Sequence, residues 1–395
     1  MSPLLASSMK PDFGRFLEGG GDRLHVAAHS HHPWPDVTFD AQQQAWLDAA
    51  KHHDDKWQYV QGSVIPAAQA HIARELSLPD PSSIVFAPNT HEFVARLLSC
   101  FEGPIRVLTS DAEFHAFRRQ VDRLAEDGLI EIERVAAEPL ETFTDRFVAA
   151  AAAGGHDLVF FSSVHFNSGH VVTDIADIVD AVPDEKTFIA IDGYHQFMAM
   201  PTDLSSLADR VFFLAGGYKY AMAGEGACFM HVPPGYGMRP GFTGWYAEYG
   251  ELDQASGQQV SYAKDATRFA GSTFDPSGIY RLVAVQDWLV SQQLTSAHIH
   301  SHVAELQAGF LERVGALTTL PFGLEQLTPG LTATDRGNFV TFRFDRAAEM
   351  REALAIADVM VDHRGDRLRF GFGIYHDRSD LDVLAERIEL SCELL

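Results

Sequence analysis

The sequence predicts an α/β protein, with a mainly parallel sheet covered by helices on both faces and a smaller α/β unit toward the C-terminal end. Between about residue 80 and residue 230 the hydrophobic pattern alternates between short apolar runs and amphipathic helical stretches. The runs are continuous rather than alternating, as expected of strands buried on both faces. The chain's 395 residues also exceed what one hydrophobic core ordinarily holds, so a second unit is expected.

Taken in order, Ser83 to Phe86, Ile105 to Leu108, Leu158 to Phe161, Phe188 to Ile191 and Val211 to Leu214 read as buried strands. Glu92 to Cys100 and Phe117 to Glu126 read as helices between them. Ala149 to Ala153 reads as a helix end stopped by Gly154-Gly155. After a Gly/Pro-rich passage (Pro233 to Gly244) and a polar stretch, a long helix starts near Ser277 and continues past Leu289. From about residue 295 a second α/β unit follows. It has a helix over Val303 to Val314, strands at Phe339 to Phe342 and Leu368 to Phe370, and a final helix from Asp380. In parallel sheets the ligand sits beyond the carboxyl ends of the strands, so polar residues there are the first candidates.

Composition narrows the function. Thirty Lys plus Arg against 54 Asp plus Glu give a net charge of −24. Such a chain repels nucleic-acid phosphates and anionic lipid, so neither is expected as a partner. An anionic ligand needs a local cationic pocket. No apolar stretch reaches the ~20 residues of a membrane span, and Met1 to Pro11 lack a charged-then-apolar secretion signal. Cys100, Cys228 and Cys392 fit neither a disulfide scaffold nor a zinc knuckle. A cytoplasmic protein is expected.

Two strand ends stand out. One run finishes Ile191-Asp192-Gly193-Tyr194-His195 and the next finishes Gly216-Gly217-Tyr218-Lys219. Lys219 is one of only six lysines and is flanked by small and aromatic residues. Burial disfavours an ammonium, which is how enzymes prepare an amine for Schiff-base formation. A buried aspartate stays ionised beside a cation, and a protonated pyridine nitrogen is one; the pair marks a pyridoxal phosphate (PLP) site. By spacing alone, a loop lysine and a turn-capping aspartate explain the pair equally well. Asn89-Thr90-His91-Glu92 follows a strand and opens a helix, where free N–H groups attract phosphate; a plain helix cap is the alternative. Phe114 could stack on an aromatic ring or belong to the core.

In its ordered motifs the chain resembles the fold-type I PLP enzymes of aminotransferase class V, and kynureninase in particular. The block Asp192-Gly193-Tyr194-His195, Met200-Pro201-Thr202-Asp203-Leu204, Tyr218-Lys219 and Gly224-Glu225-Gly226 is similar to kynureninase motifs in the same order. Gly244-Trp245-Tyr246, Ala270-Gly271-Ser272 and Leu368-Arg369-Phe370 are similar to its Gly-Trp-Phe, Gly-Thr and Ile-Arg-Val. The resemblance implies a seven-stranded large domain over residues 46–290, a small C-terminal domain over 291–395, and an N-terminal segment, 1–45, reaching the active-site mouth and the small domain. It implies that Lys219 holds PLP and later moves the Cα proton, that Asp192 pairs with the pyridinium nitrogen, and that His195 lies near the ring's O3′ side or the substrate. Phe114 would stack on the ring. Thr90, His91 and Tyr218 would hold the phosphate with Asn89 at the same turn. Trp245 and Ser272 would arrive from the partner of a homodimer, and Arg369 would clamp the substrate carboxylate.

Two segments depart from the family. Asn-Ser-Leu-Gly is replaced by His29-Ser30-His31-His32, and Phe-Pro-Ser/Thr-Asp by Phe114-His115-Ala116-Phe117. Both lie near the substrate in the family, so His31 and His32 become candidate substrate contacts at the active-site mouth. A metal site at these histidines lacks a Cys or acidic partner at ligand spacing, so no metal is expected; plain surface histidines are the other reading. Tyr375 and His376 could reach substrate or simply form a strand-to-helix turn. The implied activity is a kynureninase-like hydrolase cleaving a Cβ–Cγ bond of an amino acid. The alternatives are a class V aminotransferase or β-eliminating lyase on another amino acid, and a PLP-fold protein without turnover.

Overall fold

The computed structural model describes residues 5, 7–235, 238–251 and 259–395. Part of the stretch read against a secretion signal (1–4 and 6) and part of the Gly/Pro-rich passage (236 and 237) lie outside the described residues.

A two-residue strand, β1 (Leu24–His25), comes first. β2 (Ile84–Ala87), β3 (Ile105–Ser110), β4 (Ile130–Val135), β5 (Leu158–Ser162), β6 (Phe188–Asp192), β7 (Val211–Gly216) and β8 (Cys228–His231) form a seven-stranded sheet. Its order is β2-β8-β7-β6-β5-β3-β4. β3 to β7 run parallel, and β8 is antiparallel to both its neighbours. Every residue of β2, β5, β6, β7 and β8 is buried. Successive side chains serve opposite faces, the period-2 rule of a strand. Val159, Phe161, Ile189, Ile191 and Phe213 join one core, where Leu282 and Val285 of helix Ser277–Ser291 lie. Leu158, Phe160, Ala190, Phe212 and Leu214 join the other, with Phe93 of helix Thr90–Leu98 and Phe117 of helix His115–Glu126. The helix Phe143–Ala153 stops at Gly154, whose φ of 70° ends it where the sequence predicts.

Beyond helix Ser277–Ser291, β9 (Phe339–Arg343), β10 (Val359–Met360), β11 (Asp362–Arg364) and β12 (Arg367–Gly371) alternate with helices Ser296–Ala316, Ala347–Ile356 and Arg378–Cys392. β11, β12 and β9 make an antiparallel sheet in that order, so β11 is an edge. This unit has its own core, including Phe310, Phe342, Met350, Phe370 and Leu384. Val26 lies in the same core, because β1 pairs in parallel with β10 and Ala27 bridges to Gly371. The N-terminal chain then crosses to the large sheet, where helix Val37–His52 packs on helix Ser277–Ser291. Among the described residues no helix is long and apolar enough to cross a membrane.

Candidate active site

The carboxyl ends of β3, β5, β6 and β7 lie on the same side of the sheet, and each carries polar chemistry at its last residue or within three residues of it: Glu113, Ser162-Ser163, Asp192 and Lys219. Lys219 Nζ lies 2.7 Å from His195 Nε2 and is ringed by Tyr194, Phe114 and Tyr218, whose centroids lie 5.0, 5.7 and 5.7 Å away. Burial pushes its ammonium down to about 7; the Asp192 carboxylate opposes this and the Arg369 guanidinium reinforces it. Burial also lowers His195 strongly, with Lys219 adding to the effect, so the imidazole is neutral and its Nε2 accepts from the lysine.

Asp192 ends β6 fully inside the sheet edge. Its Oδ1 accepts the Tyr194 N–H at 2.9 Å, and burial raises its carboxyl above the ordinary range against the pull of that bond and of Lys219. Behind it lies Glu113, which takes the Ser162 hydroxyl at 2.6 Å and the Ser162 N–H at 3.2 Å, along with the Ser110 hydroxyl. Burial pushes Glu113 up to about 7, and Asp192 adds to the rise. Ser162 pairs with Asp192 across β5 and β6, so the serine that binds Glu113 sits in register with Asp192.

Asn89, Thr90, His91, Phe114, Asp192, His195, Tyr218 and Lys219 all line one cavity of about 130 Å³, with Ser162, Phe166 and Tyr194 among the remaining walls. Asn89 caps helix Thr90–Leu98 by accepting the Glu92 N–H at 3.1 Å. The cap leaves first-turn N–H groups at Thr90 and His91 for an anion. A larger cavity of about 470 Å³, walled by Ser83, His231 and Lys264, lies at the other end of β2 and β8 and holds none of these groups.

Arg369, on β12, is buried beside the smaller cavity, the one that Lys219 lines. It donates to the backbone carbonyl of Phe166, a cavity wall, and to Asp362 on β11. Burial lowers its guanidinium to about 10 in spite of Asp362. His31 is exposed and stacks on Tyr218 with centroids 5.3 Å apart, at the rim. His32 lies elsewhere, buried among Tyr375, Tyr220 and Phe13, with Nδ1 2.7 Å from the Pro33 carbonyl. Tyr375 and His376 both hold His25, at 2.7 Å to Nδ1 and 2.8 Å to its carbonyl, and so pin the N-terminal chain. Trp245 and Ser272 are exposed and do not line the cavity in their own chain. The sequence reading passed over Glu113 and Asp362. The strand-end rule that singled out Asp192 reaches Glu113 as well, three residues past β3.

The set fits PLP. It offers an amine brought down to about 7 by burial, an acid with one oxygen free of hydrogen bonds among the described residues, a ring at Phe114 and helix N–H groups for a phosphate. Isopenicillin N epimerase of Streptomyces clavuligerus is 26% identical over 331 residues, covering 78% of this chain and 80% of that protein. A cysteine desulfurase of Thermococcus onnurineus NA1 superposes with a TM-score of 0.81 at 15% identity, covering 100% of both chains. A cysteine desulfurase of Escherichia coli gives 0.80 at 16% identity, covering 98% of each. At such identities the two structures show the shared fold. A sequence profile described as aminotransferase class-V matches residues 50–384. The chain therefore belongs to the aminotransferase class V family, and its cofactor is pyridoxal 5′-phosphate.

Proposed function

We propose that this enzyme removes the Cα proton of an amino acid with Lys219 and goes on to a kynureninase-like hydrolysis of the Cβ–Cγ bond. The observation that carries the first step is the Lys219 amine, held near pKa 7 at 2.7 Å from a neutral His195 and opposite Asp192. An amine tuned near neutrality is both a Schiff-base nucleophile and a general base. When bound, PLP supplies an electron sink for the electrons left at Cα. Lys219 takes and returns the proton at Cα, Asp192 holds the positive ring nitrogen, and His195 Nε2 orients the amine. In the hydrolysis the substrate's Cγ is a side-chain ketone carbon, and water adds across the broken bond: the Cγ acyl group gains the hydroxyl and Cβ a proton, which releases a carboxylic acid and alanine. The ordered motifs from Asp192 to Arg369 support this reading.

The epimerase relative favours a second outcome, return of the proton to the opposite face of Cα. Both outcomes share the Lys219 step. Desulfuration needs a mobile cysteine near the site. Cys392 instead sits in the last turn of helix Arg378–Cys392, its thiol 3.3 Å from the Ile388 carbonyl. We also propose a homodimer. Trp245 and Ser272, exposed in their own chain, would complete the partner's phosphate site.

The test is incubation with a panel of L-amino acids in heavy water. Deuterium at Cα identifies substrates, and the accompanying product separates the outcomes: alanine with an acid, the D-enantiomer, or a keto acid. Borohydride reduction before peptide mapping should attach the cofactor to Lys219. Attachment at Lys264 or Lys186 refutes the site.

A further inference from the structure

The Arg369 guanidinium already holds a carboxylate. Asp362 pairs with it from the edge strand β11, and the same carboxylate pairs with Arg364 at 2.7 Å through its other oxygen. Arg369 is 2% exposed, so a substrate carboxylate cannot reach the fork while Asp362 is on it. Arg364, by contrast, is well exposed, and β11 is a three-residue edge paired on one side only. Moving with β11, Asp362 keeps a counter-ion when it leaves Arg369, so no buried charge is orphaned.

His29 gives a second, independent sign. Its ring is fully buried, stacked on Phe339 at 4.5 Å, yet neither nitrogen has a hydrogen-bond partner among the described residues. Nε2 lies 4.0 Å from Asp362 Oδ2, too far to bond. The backbone seats it closely: a Cβ on Gly371 would come within 2.2 Å of Nδ1. Buried polar groups are nearly always satisfied, so an unpaired imidazole beside an occupied arginine points to a missing oxygen ligand. Burial lowers its imidazole well below the ordinary value, with the Arg369 and Lys219 charges adding to the effect, and the ring stacks toward that of His195, the partner of Lys219, with centroids 6.5 Å apart.

We propose that Asp362 is a built-in stand-in for the substrate's α-carboxylate, which displaces it from Arg369 onto Arg364 and brings an oxygen within reach of His29. The proposal rests on the reading of the pocket as an amino-acid site. It assigns opposite effects to neighbouring residues, which a merely structural role would not.

The experiment titrates the PLP-loaded enzyme with L-alanine and, separately, with ethylamine, which is alanine without its carboxylate. The cofactor's visible absorbance reports both. Asp362→Asn removes the competing charge and should tighten L-alanine binding about tenfold, the scale of one charged hydrogen bond. Arg364→Ala removes the receiving cation and should weaken L-alanine binding. Ethylamine binding should stay constant in both variants. Weaker or unchanged L-alanine binding in Asp362→Asn overturns the proposal, as does any parallel shift with ethylamine. No response of the wild-type enzyme to L-alanine overturns the amino-acid reading and the proposal with it. Asp362→Ala repeats the test should the asparagine variant not fold.

Discussion

Lys219 is useful because of what surrounds it rather than what it bonds. Aromatic rings and the sheet edge strip its ammonium of water, and the carboxylates within its field, Asp192 first and then Asp362, recover only part of that loss. The ordinary lysine value is 10.5 and here it is about 7, so the amine is free above neutrality. The rate at which cofactor-free protein captures PLP should therefore climb up to about pH 7 and then level off. Stopped-flow capture rates measured between pH 6 and 9 would show it, and a rate still climbing steeply at pH 9 would mean an ordinary lysine. Lys219 and Asp192 were legible in the sequence because an ionisable residue directly after an apolar run is conspicuous. Asp362 was not, since a polar residue in a short edge strand looks the same in sequence whether it meets water or a buried arginine.

At the scale of elements, β6 and β7 hold the two halves of the site, and their contact is tight. A Cβ on Gly193 would come within 1.9 Å of the Phe213 ring, a rigid side chain buried in the core. Gly193→Ala must push that ring or the backbone next to Asp192. Overpacking of this kind costs about 1–3 kcal/mol, so a lower Tm and reduced PLP per chain are expected together. An unchanged Tm would mean that β7 yields freely. The buried strands were readable from their continuous apolar runs. β4 and β8 were not picked out. β4 is the sheet edge, so its Ile130-Glu131-Ile132-Glu133 alternation mixes exposed glutamates with a single buried residue. β8 is four residues long and reverses direction, which no local pattern announces. Nor did the sequence show β1 and β10, two residues each, whose pairing is purely tertiary.

Over the whole molecule, buried histidines set the response to acid. Burial lowers His25 to about 4 and His32, His165 and His376 to about 3. Unfolded, each takes up a proton near pH 6.5, and folded, each refuses it. The stability they allow is thus complete above about pH 6.5 and is lost as pH falls toward 4 and 3, by up to about 1.4 kcal/mol per pH unit for each group. Urea midpoints should drop steeply between pH 6.5 and 5, and a flat profile there would show that these rings are solvated. Three of the four, His25, His32 and His376, lie where the N-terminal chain meets the C-terminal unit. His25 finds its partner Tyr375 350 positions further on. The segment around His25 must therefore wait for residues some 350 positions further on to be made before His29 can be seated beside Arg369. Closure of so long a loop is slow, so a chain interrupted before β10 could complete its large sheet during synthesis and still lack a carboxylate site.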